Sequence, residues 1–149
     1  MASSTLARQA CLLAATLLAA CGGGSGEGLD NNGRPIDPGG DGSGPLSANF
    51  SSIQFHIFTP ICSVCHAGGS APQGLRLDAS NSYGLLVGVS SNEVPSLKRV
   101  APGNPDDSYI IQKIEGHAAV GARMPYGGPY LDAATIAVIR QWIADGALP

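Results

Sequence analysis

Cys62-Ser63-Val64-Cys65-His66 restricts what this chain can become more than any other stretch. Two thiols flank a pair of residues, and an imidazole follows at once. Four chemistries use such a set: covalent attachment of a haem, a zinc site, a redox dithiol, or one disulfide. Each makes different demands on the rest of the chain.

A closed structural zinc site needs four ligands. Cys62, Cys65, His66, His56 and His117 are on offer, but there is no second C-x-x-C. A thioredoxin-like dithiol wants a βαβ frame, and no strand pattern precedes the motif. A disulfide suits an exported chain but leaves the adjoining histidine without a role. C-x-x-C-H accounts for all three residues. It matches covalent c-type haem attachment, in which two thiols add to the vinyl groups and the imidazole becomes an axial iron ligand. On sequence alone the other three readings stay open.

The ends of the 149-residue chain narrow the context. Arg8 followed by the apolar run Ala10 to Ala20 is too short to span a bilayer and reads as the h-region of a signal peptide over residues 1–20. The run closes Leu18-Ala19-Ala20-Cys21. Small residues before a cysteine resemble the lipobox of bacterial lipoproteins, which implies lipidation of Cys21. The alternative is an ordinary signal peptide with an incidental cysteine. Gly22 follows instead of the Asp that resembles an inner-membrane retention signal, so the outer membrane is the expected site of anchoring. Export also agrees with haem attachment, which the resemblance places outside the bacterial inner membrane.

Residues 21–45 hold the lipidated cysteine and a stretch of Gly, Asp, Asn, Ser and Pro. Leu29 and Ile36 are its only larger apolar residues before Pro45. Such a segment buries too little to offset its ordering entropy. It is expected to be a flexible tether reaching roughly 25–30 Å. The folded domain is then residues 46–149. Three Phe, four Tyr and one Trp are few for its core, and a bulky apolar cofactor would supply missing volume. The net charge of −3 and the absence of a basic patch exclude nucleic acid as a partner.

The domain reads as helices and loops. Ser47 is the expected cap of a helix from Ala48 to Phe58, with Phe50, Ile53 and Ile57 on one face, Phe55 and Phe58 on a second, and Pro60 ending it. Leu75 to Asp78 alternates as a short extended piece. Ser80 or Asn81 caps a short helix through Val87, stopped by Gly88. Asn104 and Pro105 signal the start of a helix that buries Ile110, Ile111 and Ile114 and stops at Gly116. The last helix starts at Asp132, ends at Gly146, and packs a face of Ile136, Val138, Ile139, Trp142 and Ile143 across the first.

This all-α arrangement, with the haem motif just after the first helix, resembles the class I cytochrome c fold. Gly74-Leu-Arg-Leu-Asp78, the stretch from Ala101 to Gly116, Arg123-Met-Pro-Tyr-Gly-Gly128 and Trp142-Ile-Ala-Asp-Gly-Ala147 look like the single-haem, planctomycete-type cytochrome c domains that also occur on bacterial lipoproteins. The resemblance implies one covalent haem c on Cys62 and Cys65, with His66 and Met124 as axial ligands. Met124 is the one methionine besides Met1 and lies in a Pro/Gly loop; His117 is the rival distal ligand. Arg76 and Arg123 are candidate partners of the haem propionates. His66 needs an acceptor for its free ring N–H, expected among the carbonyls of Pro72 to Leu75.

The expected function is single-electron transfer by a lipid-anchored, non-enzymatic carrier at the periplasm or outer membrane. Redox partner proteins would dock transiently at the haem edge, and the lipid would be its only hold on the membrane. The rivals are a haem-based ligand sensor, an electron-entry module of a larger redox complex, and a haem-free structural lipoprotein.

Overall fold

The computed structural model describes residues 42–149. The expected signal peptide, Cys21 and most of the expected tether lie outside the described residues. Among those described, helices are the only regular elements longer than an isolated bridge, and no helix is long and apolar enough to cross a membrane.

The first helix, α1, spans Phe50–Ile53 and continues without interruption as a π-helical stretch, Gln54–Cys62. Asn49 is its cap: the side-chain oxygen accepts from the Ser52 amide at 2.8 Å. Ser47, the expected cap, instead turns its own amide to Ser52 Oγ at 3.0 Å. Pro60 does not end the helix but lies inside it. Amides in a π-helix reach back five residues, as Ser63 does to the Phe58 carbonyl at 2.8 Å. The wider turn changes the phase along the helix, so the expected second apolar face does not form. Phe58 is buried while Phe55 is 49% exposed and meets His56 edge-on.

Packing begins ahead of Leu46. Gly42 is buried with φ 82°, and a Cβ there would come 2.1 Å from the Ser51 carbonyl oxygen. The Gly44 carbonyl lies 2.6 Å from His56 Nε2.

α2 is short, Ser82–Leu86. Asn81 stands before it without capping, because its side chain is engaged by Arg76 and Asp78. α3 is Tyr109–Glu115 and starts four residues beyond Pro105. The amides of Tyr109 and Ile110 donate to the carbonyls of Lys98 and Arg99 at 2.9 and 3.0 Å. Those bonds fix the helix start, and Asn104 to Asp107 form a turn ahead of it, with Asn104 Oδ1 accepting from the Asp107 amide at 3.3 Å. Gly116, at φ 87°, closes α3 as expected.

α4, Ala133–Ala144, follows the sequence closely. Asp132 accepts from the Thr135 amide at 2.7 Å, and Ile136, Ile139, Trp142 and Ile143 are buried. Trp142 reaches the first helix through Phe50, with ring centroids 5.7 Å apart. Phe50 also meets Tyr83 edge-on at 5.0 Å and Phe58 at 6.3 Å. This aromatic group, with Ile53, Ile139 and Ile143, is the dense part of the core.

Candidate functional site

Beside that core the chain leaves a cavity of about 370 Å³, within the size range of small-molecule and cofactor sites. Its walls are mostly aliphatic, including Leu75, Leu77, Leu86, Ile110, Ile114 and Leu131. Cys62, Cys65, His66 and Met124 all border it. They come from two separate parts of the chain, the end of the first helix and the loop between α3 and α4.

The helix end positions the motif. The Cys62 carbonyl accepts from the amides of Cys65 and His66 at 3.2 and 2.8 Å, curling the five residues into one turn. The Leu77 amide donates to the His66 carbonyl at 2.6 Å, which brings Leu75 alongside the ring. His66 Nδ1 lies 3.0 Å from the Leu75 carbonyl oxygen. A carbonyl only accepts, so Nδ1 carries a proton, which in the neutral ring leaves the lone pair on Nε2. The acceptor is thus found in the stretch where the sequence located it.

Both thiols are free. Cys65 is exposed; Cys62 is half-buried, and desolvation pushes its thiol up to about 12. A dithiol that works by nucleophilic exchange needs thiolate near neutral pH, so Cys62 is poorly suited to that chemistry. Among the described residues no three His, Cys, Asp or Glu side chains converge as a metal-ion set, so the four-ligand zinc reading has no cluster to stand on.

The distal candidates separate clearly. Met124 borders the cavity, and its amide donates to the Lys113 carbonyl at 2.9 Å. His117 does not line the cavity. Its side chain is 59% exposed and stands 3.6 Å from the Glu115 carboxylate.

Neither arginine singled out from the sequence lines the cavity. Arg76 bonds Asn81. Arg123 donates to the Ile114 carbonyl at 3.0 Å, lies over the Tyr130 ring at 4.1 Å, and borders a separate groove with Arg140. The cations at the cavity are Arg99 and Lys113. Arg99 is buried and donates to the carbonyls of Leu85 and Gln73 at 2.6 and 2.7 Å, and desolvation lowers its pKa. Lys113 pairs with Glu93 at 3.0 Å. Sequence reasoning missed both. Lys113 lies four residues after Tyr109, a spacing that sets both on the buried side of α3. Nothing local marked Arg99.

Comparison with protein-family models, with curated proteins and with solved structures finds no match.

Proposed function

We propose that this chain is a membrane-tethered monohaem c-type cytochrome of class I-like fold that carries single electrons in the periplasm or at the outer membrane. One observation carries the reading: C-x-x-C-H and the lone distal methionine, 58 residues beyond His66 in the sequence, border the same apolar cavity. A haem c fits the residues present. Cys62 and Cys65 would hold it by thioether bonds, and His66 Nε2 and the Met124 sulfur would ligate its iron.

When bound, the haem supplies one-electron iron chemistry; the chain supplies its surroundings. The Leu75 carbonyl fixes the His66 ring and raises its basicity through the Nδ1 proton. A thioether favours the ferrous state relative to a second imidazole. The aliphatic walls would limit the access of water to the bound group. Arg99, rather than Arg76 or Arg123, would offer donors to the propionates. The lipobox-like end at Cys21 and the Gly-rich stretch after it support tethering, with the domain free to meet redox proteins at the haem edge.

The test is an optical spectrum of the chain produced with an export signal and haem-attachment machinery. Covalent haem with a red thioether–iron charge-transfer band, lost in Met124→Ala, is the expected result. Covalent haem without that band would turn the reading to a ligand sensor with an open site. A colourless protein would leave the haem-free lipoprotein.

A further inference from the structure

Charged side chains are rarely buried beside an apolar cavity, yet Lys113 is, paired with a carboxylate that is half-buried. Lys113 is 7% exposed. Its ammonium donates to Glu93 Oε2 at 3.0 Å. Tyr109, 5% exposed and one turn earlier on α3, places its hydroxyl 3.0 Å from the same carboxylate oxygen and 2.7 Å from the Val120 carbonyl. Lys113 Nζ is also 3.4 Å from that carbonyl. A phenol has one proton, so Tyr109 and Lys113 together serve the two acceptors, Glu93 and Val120.

Val120 belongs to the loop that carries Met124. The next residue, Gly121, has φ 74°, and a Cβ there would lie 2.2 Å from Lys113 Nζ and 2.4 Å from Glu93 Oε1. The loop therefore passes directly over the ion pair, at a residue whose positive φ favours glycine and where a side chain would have to push the pair aside. Three residues on, the Met124 amide bonds the backbone carbonyl of the same Lys113. Arg123 adds its bond to Ile114. One short helix thus grips the loop on both sides of Gly121, by the side chain and by the backbone of one lysine.

We propose that Glu93, Lys113 and Tyr109 form a latch that holds the Met124 loop against the cavity. They are positioning residues, acting through Met124. Resting on the cytochrome reading, the latch keeps the sixth position of the iron closed to small ligands, so that loosening it converts a carrier into a ligand-binding site. A largely buried pair of this kind is weak support for stability but suits the role of specifying one arrangement.

The test uses Glu93→Gln and Tyr109→Phe in the mature chain as isolated, with two readouts. The first is hydrogen exchange at the Met124 amide against amides of α4. Exchange at Met124 should quicken about tenfold or more, the scale of one lost buried hydrogen bond, while α4 is unchanged. The second is the spectrum: covalent haem retained, the red thioether band diminished, and carbon monoxide taken up where wild type excludes it. Unchanged exchange at Met124 in both variants, or equal acceleration in α4, overturns the latch. Should Glu93→Gln fail to fold, Tyr109→Phe, which leaves the ion pair intact, decides alone. A wild-type protein without haem would overturn the cytochrome reading, and the Met124 amide would still decide whether the latch exists.

Discussion

Around Trp142 the chain fills its interior with its own side chains, whereas around His66 and Met124 its apolar walls face a cavity of about 370 Å³. On the first side Phe50 touches Phe58, Tyr83 and Trp142, and the indole N–H donates to the Leu148 carbonyl at 2.8 Å. On the second side aliphatic residues stand where a close-packed interior would continue. The contrast teaches how a domain with few aromatic residues can be divided. One side is filled by the chain's own side chains, and the other lines the cavity.

On the proposed haem reading, the largest expected effect comes from removing the two thiols that would hold the cofactor. In Cys62→Ala/Cys65→Ala, covalent colour should vanish. Hydrogen-exchange protection should be lost first over residues 61–77 and 117–131 and last in α4. Equal loss on both sides would break the contrast.

Next in size is Trp142→Ala, which empties the packed side. It should lower the unfolding free energy by about 3–5 kcal/mol, measured by urea titration of the loaded protein, with the red band unchanged below the transition. A shifted band would mean that the two sides are not independent.

The smallest effect is at the cap of α4. The Thr135 amide holds the Asp132 carboxyl below its ordinary value of 3.8. A lowered folded-state value stabilises the protein above the unfolded value, and that contribution disappears as pH falls through the folded one. The stability advantage of wild type over Asp132→Ala should therefore be constant above about pH 4 and shrink in more acid solution. An advantage that grew with acid would contradict the capping geometry.

α4 was legible from the sequence because its signals are local: a capping aspartate, helical spacing of isoleucines and a terminal glycine, all within fifteen residues. The first helix was less legible. Its i→i−5 bonding accommodates Pro60 and exposes Phe55, and no rule based on a 3.6-residue period anticipates that. The start of α3 was misjudged because the carbonyls that receive its first amides belong to Lys98 and Arg99, outside the helix.

For the site, the sequence by itself determined the chemistry on offer: two thiols and an imidazole in one turn, a carbonyl near Leu75 for the ring, and one methionine besides Met1 in a Pro/Gly loop. Those are properties of residue identity and short spacing. Only the tertiary structure decided which charges meet the cavity. It brought in Arg99, Lys113 and Glu93, and it left Arg76, Arg123 and His117 outside the cavity. A long side chain's destination depends on which distant backbone carbonyls and carboxylates lie within its reach, and chain spacing does not encode that.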